Sequence, residues 1–201
     1  MASSKTINHD QISMNVMDVI YNRRAVRDYL PKKIDQDLIH ILLNAAIQAP
    51  TAMHEEPWSF VIIQNKDLLN RLSESAKHLV LAETKNSEPQ QAKQVIDLVK
   101  PADFNVFYNA GTLITIYSKF PGSFVAADCW LAAENLMLTA YANGLGTCVI
   151  GFAVSALNTP EWKNELGIPA EMTAMVPIIV GQPAGKTPLS PRKPPEILTW
   201  K

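Results

Sequence analysis

Three arginines stand within five residues of one another near the start of the chain, at Arg23, Arg24 and Arg27. The chain contains only five arginines in all and has a formal net charge of -1, so this cluster is a local concentration of positive charge. Guanidinium groups this close repel one another unless an anion neutralises them, and a phosphate accepts the bidentate hydrogen bonds that they offer. The alternative is a solvated basic turn that pairs with Asp28 and neighbouring acids. The segment alone leaves both interpretations open.

A second basic pair, Arg192 and Lys193, lies in the stretch 182–195, which contains five prolines. The prolines exclude a helix or a central strand there and predict an extended, semi-rigid arm. A fixed backbone lowers the entropy that a side chain loses when it grips a ligand. Together with the arginine cluster, the pair predicts one anionic group held from two distant segments.

The connection 50–57 joins a predicted helix to a predicted strand, and a proline at each end fixes its path. The small residues Thr51 and Ala52 would let a ligand approach the backbone. Met53 and the following Trp58 supply polarisable surface of the kind that a planar ring system prefers. The alternative is an ordinary rigid link between a helix and a strand.

A third candidate segment, 144–151, contains three glycines. It follows a helix, whereas the glycines of a dinucleotide-binding Rossmann motif follow a strand and open a helix, so we reject that motif. Gly144 is the expected left-handed C-cap of the helix. The residues after it are expected to form a loop whose glycines permit close contact with a ligand.

Apolar spacing and capping residues predict the elements that position these segments. Ser13 and Asp35 are the expected N-caps of the first two helices. Residues 82–94 are polar and contain a proline, which predicts an exposed loop or lid. Helices are predicted over 13–23, 35–49, 65–79, 91–99, 126–143 and 159–167, and strands over 58–63, 112–117 and 172–180.

Three of these elements carry expectations about burial. The near-continuous apolar run 58–63 predicts a strand buried on both faces, and Pro177 predicts that the third strand is irregular or at an edge. Helix 126–143 is apolar nearly all round, as expected between two sheets or two protomers. The apolar side chains that end the arm predict contact with a partner subunit.

Composition narrows the class of protein. The chain has 201 residues, 47% of them hydrophobic and 18% charged, which predicts one globular domain over 1–201 with its arm at about 182–201. The near-neutral charge argues against nucleic-acid binding, and no stretch suits a membrane span or a leader, so a cytoplasmic protein is expected. Cys129 and Cys148 lack metal-ligand spacing and are expected to be reduced core thiols.

The four segments, in this order and at about these separations, resemble the nitroreductase family. Its members carry an RRSxR-like cluster, an APSxxNxQPW segment, a GLG-containing loop after a long buried helix, and a proline-rich stretch with Arg-Lys. The resemblance runs from about Val16 to Glu196. It implies an α+β fold whose central, mainly antiparallel sheet is flanked by helices, an intertwined homodimer, and one FMN in each pocket at the dimer interface.

The resemblance also implies roles for individual residues. Arg23, Arg24 and Arg27 match the cluster that holds the FMN phosphate, the ribityl chain and the N1/O2 edge of the flavin, and Arg192 with Lys193 matches the end that grips the phosphate. Two loops complete the implied cofactor site: one reaches the FMN of the other protomer and one lies along the isoalloxazine. They comprise Pro50, Thr51, Ala52, Met53 and His54, and Cys148, Val149, Ile150 and Gly151.

The chain departs from the family pattern at several positions. Ala25 replaces a hydroxyl residue, so only a backbone contact remains possible there. His54 and Glu56 stand where Asn and Gln are usual, and with Glu55 they place two acids beside the expected pocket, which favours neutral or cationic substrates. The flavin-edge contacts expected after the first strand are not identifiable in residues 79–94.

As the resemblance implies, NADH or NADPH would reduce the flavin and a small organic oxidant, such as a nitro compound or quinone, would reoxidise it in ping-pong turnover. Arg27 is the expected positive charge beside flavin N1. Two alternatives stay open: a flavin-binding sensor or storage protein with little turnover, and a specialised flavin enzyme that dehalogenates or fragments its substrate.

Overall fold

The computed structural model describes residues 14–86 and 88–201, which form seven α-helices and four strands. The helices are α1 (Val16–Asn22), α2 (Gln36–Ala46), α3 (Lys66–Glu83), α4 (Pro89–Val99), α5 (Val125–Ala142), α6 (Val154–Leu157) and α7 (Pro160–Leu166). The strands are β1 (Trp58–Ile63), β2 (Thr112–Ser118), β3 (Gly146–Val149) and β4 (Thr173–Gly181). Short 3-10 turns occupy Ala52–His54, Thr84–Asn86 and Gly151–Ala153.

Helix ends follow the capping residues of the sequence. The predicted cap Ser13 lies outside the described residues, and α1 is capped by Asn15, whose side-chain oxygen accepts hydrogen bonds from two backbone amides of the first turn. Asp35 precedes α2 with extended backbone, as predicted, but makes no side-chain capping bond. Gly144 and Gly167 both adopt positive φ after helices, at 74° and 67°, which glycine allows at little cost.

The four strands form one sheet in the order β1-β2-β4-β3, and every pairing is antiparallel. Helices α2 and α5 cover one face, where Leu42 and Leu136 are fully buried. Helices α3, α6 and α7 cover the other face, around Leu72 and Tyr117. The predicted α+β fold with a central antiparallel sheet is therefore confirmed.

Of the two alternatives predicted for the third strand, an edge position or an irregular one, the structure shows the second, because this strand is β4 and lies inside the sheet. The predicted irregularity is present as a register shift against β2. The carbonyl oxygen of Pro177 accepts from the amide of Ile150 at 2.8 Å, so the missing N–H of the proline also faces β3. The β3 ladder ends at the pair Val149 and Ile178, one residue short of the proline. Pro177 therefore removes no ladder hydrogen bond.

Strand β1 lies at one edge of the sheet, and its predicted burial on both faces is wrong. Phe60 and Val61 are half-buried and Ile62 is exposed. The apolar run of β1 identified a strand, but such a run does not by itself report how many layers cover it.

The predicted loop at 82–94 is also wrong for most of its length. Helix α3 continues to Glu83, and α4 already begins at Pro89. Proline is favoured in the first turn of a helix because the N–H that it lacks would have no partner there. Pro89 therefore opens a helix rather than marking a loop.

The predicted extended arm is present. Residues 184–201 contain neither helix nor strand and are exposed throughout. Tyr29 anchors the start of the arm: it forms a bridge with Pro183, and its hydroxyl donates to the carbonyl oxygen of Val26 at 2.7 Å. A Cβ at Gly181 would lie 2.9 Å from the Tyr29 ring, so this contact requires the glycine. Burial raises the pKa of Tyr29 well above its usual value, which keeps the hydroxyl a donor.

Both cysteines are buried free thiols, as predicted. Burial, with a smaller contribution from Asp128, raises the pKa of Cys129 to about 11.

Within the described ranges no helix is long and apolar enough to cross a bilayer.

Candidate functional site

The arginine segment (residues 23–27) leaves α1 and runs beside β3. The amide of Val26 donates to the carbonyl oxygen of Thr147 at 2.9 Å, and Ala25 forms a parallel bridge with the same residue. A few residues later, the amide of Leu30 donates to Gln182 at 2.9 Å and the carbonyl oxygen of Asp28 accepts from Ala184 at 3.0 Å. These bonds bring the arginine segment, β3 and the start of the arm together.

The three arginines have different surroundings. Arg23 reaches α5, where its Nε lies 3.5 Å from Glu134. Arg24 donates through Nη1 to two backbone carbonyl oxygens at 2.8 and 2.6 Å, whereas its Nε is buried and has no partner among the described residues. Arg27 is exposed, and its guanidinium lies 6.0 Å from the centroid of the Tyr108 ring. The alternative, a basic turn that pairs with Asp28 and neighbouring acids, is met in part, since Arg23 contacts Glu134 and no arginine of the cluster forms an ion pair with Asp28 among the described residues.

A cavity of about 390 Å³ opens between the arginine segment and the arm. We call it the arginine cavity. Three cations and one acid line it, so positive charge is in excess: Arg24, Arg27 and Asp28 come from one segment and Lys186 from the other, and Thr187 and Ser190 contribute hydroxyl groups. Guanidinium, ammonium and hydroxyl donors are the groups that bind phosphate in proteins. The residues therefore fit a phosphorylated ligand held from two sides.

The predicted pair Arg192 and Lys193 is exposed on the arm beyond Ser190 and does not line the arginine cavity within the described part of the chain. The cation that the arm places there is Lys186. It lies in a Gly-Lys-Thr stretch just before a proline. This stretch is visible in the sequence, but the adjacent cations Arg192 and Lys193 are the more conspicuous candidates for binding an anion.

The predicted loop after Gly144 is in part a strand, because β3 includes Cys148 and Val149. Ile150 is buried, and exposed Gly151 starts a 3-10 turn. A Cβ at Gly146 would lie 2.7 Å from Val26, so this glycine admits a side chain of the arginine segment rather than a ligand. A Cβ at Gly151 would meet nothing within 4 Å, so the expected close approach remains open there.

Cys148 lies in β3 beside the arginines. Burial raises the pKa of its thiol, and Arg27 and Arg23 offset only part of this effect. The thiol therefore stays protonated near neutral pH and is a poor nucleophile. This environment supports binding rather than covalent catalysis at Cys148.

The loop 50–54 lies elsewhere, against the start of α5. The amide of Ala52 donates to both carboxylate oxygens of Asp128, at 3.3 and 3.2 Å, and Asp128 is buried. Three nearby residues have left-handed backbone, Met53 (φ 54°), His54 (φ 57°) and Glu56 (φ 44°). Such conformations cost roughly 1–3 kcal/mol each when they are held in a non-glycine residue.

The same loop presents its side chains to solvent. Met53 is 87% exposed, and His54 and Glu55 are also exposed. Among the residues that the structure describes, none from 50–54 lines the arginine cavity.

No group of three or more potential metal ligands occurs in the described chain.

Comparison with known proteins identifies the family. A model of the Nitroreductase family matches residues 20–182. The chain belongs to this family. A nitroreductase from Bacteroides fragilis NCTC 9343, solved with bound FMN, has a TM-score of 0.77 and 25% identity to this chain, and the match covers 93% of this chain and 98% of that one.

Two further proteins are similar to this chain. A protein from Methanothermobacter thermautotrophicus, named "Putative NADH dehydrogenase/NAD(P)H nitroreductase", is 27% identical over 85% of this chain and 78% of its own length. An iodotyrosine deiodinase solved with FMN and 3-iodo-L-tyrosine shares the fold, with a TM-score of 0.75 and 21% identity over 91% of this chain and 97% of that one.

Sequence reasoning missed several groups around this nitroreductase site. Asp128 and Glu134 stand one and two helical turns into a mostly apolar helix, where they first suggest only interruptions of a buried surface. Tyr108 and Asn109 have positive φ, at 50° and 56°, without a glycine to signal it. The structural role of Asp128 could have been inferred from its place in a mostly apolar helix, because a buried carboxylate requires a hydrogen-bond donor.

Asp128 is expected to hold the loop 50–54 in its left-handed conformation. In Asp128→Asn, the charge-assisted bond to the Ala52 amide becomes a neutral one of about half the strength. We expect amide hydrogen exchange at Ala52 and Met53 to become about tenfold faster, with little change in β2 or β4. Hydrogen exchange followed by mass spectrometry measures this difference.

The matched control is Glu161→Gln, which removes an exposed carboxylate from α7. It should leave exchange in the loop unchanged. Equal exchange rates in Asp128→Asn and the unmodified protein would contradict the anchoring role.

Proposed function

We propose that the chain is an FMN-dependent oxidoreductase whose arginine cavity holds the cofactor phosphate. The observation that carries this proposal is the convergence of Arg24, Arg27 and Lys186, drawn from segments about 160 residues apart, on one cavity. The buried Nε of Arg24, which has no partner among the described residues, adds unused hydrogen-bonding capacity. Relatives that are solved with FMN or named as NAD(P)H nitroreductases support the choice of ligand.

The chemistry that FMN supplies when bound is two-electron transfer, from NADH or NADPH to a small organic oxidant such as a nitro compound or quinone. The protein then has to bind, orient and exclude water. Arg27 supplies positive charge near the β3 edge, where it favours an anionic reduced cofactor. Gly151 and the backbone around Cys148 and Ile150 offer a surface along which the flavin ring would lie.

Arg23 contributes indirectly in this arrangement. Its contact with Glu134 fixes the end of α1 to α5, which directs Arg24 toward the arginine cavity. Arg192 and Lys193, which the family resemblance assigns to the phosphate end of the ligand, are exposed on the same arm beyond Ser190.

A second copy of the chain completes the site. The loop 50–54, with Pro50, Thr51 and His54, does not line the arginine cavity of its own chain among the described residues. Following the family resemblance, we assign it to the cavity of a partner in a homodimer. Exposed apolar side chains support this assembly, since single soluble domains rarely expose so many. They lie on α1, α5 and the arm: Val16, Met17, Ile20, Tyr21, Trp130, Leu131, Ile197, Leu198 and Trp200.

The acids beside the expected pocket bear on substrate class. Glu55 and Glu56 are exposed next to His54 on the loop that the partner would receive. Two carboxylates disfavour anionic oxidants and favour neutral or cationic ones.

Replacing Arg27 with Ala tests the cofactor assignment. Because a hydrogen bond to a charged group contributes about 1.5–3 kcal/mol, we expect FMN affinity to fall roughly tenfold or more, or flavin reduction to slow by a similar factor. Fluorescence titration measures the affinity, and stopped-flow bleaching by NADH and NADPH measures the reduction rate.

The control is Arg71→Ala, an arginine on α3 that contacts Glu165 and the Trp162 ring instead. Unmodified FMN affinity and reduction rate in Arg27→Ala would refute the role of Arg27. A protein that binds FMN but is not bleached by either nicotinamide would instead be a storage or sensor protein.

Deleting residues 196–201 tests the homodimer. Loss of Ile197, Leu198 and Trp200 removes apolar surface that is exposed in the single chain, and we expect a lower sedimentation coefficient or a thermal midpoint lower by several degrees. Deleting Lys201 alone removes no apolar side chain and should change neither. An unchanged sedimentation coefficient and midpoint after the longer deletion would remove the arm from the interface.

A further inference from the structure

A second cavity, of about 330 Å³, lies where the turn before α2 meets the start of α3 and the segment 105–111. We call it the lysine cavity. It shares no lining residue with the arginine cavity among the described residues. Its size is at the lower end of the range for ligand pockets, about 300–1,000 Å³, which suits a one-ring molecule and not a flavin or a dinucleotide.

The lysine cavity is positively charged. Lys33 and Lys66 line it, and its described lining contains no Asp or Glu. Neither lysine forms an ion pair with another described residue. Lys66 is also the first residue of α3, an 18-residue helix whose N-terminal end carries partial positive charge. The lining therefore favours an anion.

Apolar side chains form the inner part of the lysine cavity. Leu69 and Phe107 line it and are almost completely buried, at 5% and 1% exposure. Amide groups surround them: Asn70 and Asn105 bond each other at 3.2 Å. Such a division, with apolar surface inside and a few polar groups around it, is typical of small-molecule sites.

Side-chain hydrogen bonds and a close backbone contact hold the walls of the lysine cavity. Gln64 donates through Nε2 to the carbonyl oxygen of Ile34 and to Thr112, both at 2.9 Å. A Cβ at Gly111 would lie 2.5 Å from the carbonyl oxygen of Lys32, so this glycine allows two backbone segments to touch. Asn109 has left-handed backbone. A preformed cavity lowers the entropy lost on binding.

We propose that the lysine cavity is a binding site for a small aromatic or cycloaliphatic carboxylate. The carboxylate lies between Lys33 and Lys66, and the ring packs on Leu69 and Phe107. This site is separate from the proposed cofactor site and does not depend on it. The link between the two regions is the turn at Tyr108 and Asn109: Asn109 lines the lysine cavity, and the Tyr108 ring faces Arg27.

Isothermal titration with benzoate tests this proposal on the protein as purified. We expect binding in the high micromolar to millimolar range, with benzyl alcohol, which lacks the charge, binding more weakly. Since both lysines are exposed, each contributes a screened interaction, and Lys33→Gln/Lys66→Gln together should weaken benzoate binding about tenfold. The matched control Lys93→Gln/Lys100→Gln removes the same charge outside the cavity and should bind like the unmodified protein.

A variant that leaves the lysines in place gives independent support. Asn70 is exposed and lines the cavity, so Asn70→Trp fills it from the outside without altering the core. We expect this variant to lose benzoate binding while retaining the unmodified thermal midpoint. Failure of the unmodified protein to bind benzoate up to about 10 mM overturns the proposal. So does binding that persists in the double lysine variant and perturbs the flavin spectrum, because that binding belongs to the cofactor site.

Discussion

The hydrogen bond from the Val26 amide to the carbonyl oxygen of Thr147, at 2.9 Å, joins the arginine segment to the edge of the sheet. Around it, Gly146 leaves room for the Val26 side chain, and Tyr29 ties the same segment to Gly181 and the start of the arm. Without these contacts the three arginines would lie on an unanchored turn after the short helix α1. Their electrostatic repulsion is tolerable because the backbone that carries them is fixed and an anion can neutralise them.

The fold places the loop 50–54 apart from the segments that line the arginine cavity. The arginine segment, β3 and the arm meet on one chain, whereas the loop 50–54 is held away from them by Asp128 on α5. Its left-handed residues persist because the buried carboxylate and the adjoining strand restrict the backbone. A loop of this kind is preorganised for contact, and in the homodimer that we propose the contact would be with the arginine cavity of the partner.

Much of the architecture was predictable because it depends on local signals. Asp35, Gly144 and Gly167 marked helix ends, and the apolar runs marked three strands within a residue or two. The order of the strands in the sheet was not predictable. Strands β1 and β4 have similar apolar runs, and only their pairing in the folded chain decides which of the two lies at an edge. Strand β3 was missed because four residues between glycines resemble a loop.

The candidate site was likewise predictable only in part. Concentrated charge made Arg23, Arg24 and Arg27 conspicuous, and the family pattern assigned them a ligand. Lys186 and Asp128 were missed because their importance comes from what they approach in space, the arginine cavity and the Ala52 amide. Sequence patterns report spacing along the chain, and these two contacts join segments that are far apart in it.

The central claim is that charges from two distant segments hold a flavin through its phosphate. The most direct measurement compares the affinity of the protein for FMN and for riboflavin, which lacks the phosphate, in the same buffer. We expect FMN to bind at least about a hundredfold more tightly than riboflavin, and Lys186→Ala to reduce this difference in affinity. Equal affinities for the two flavins, or no measurable binding of FMN at micromolar concentration, would contradict it.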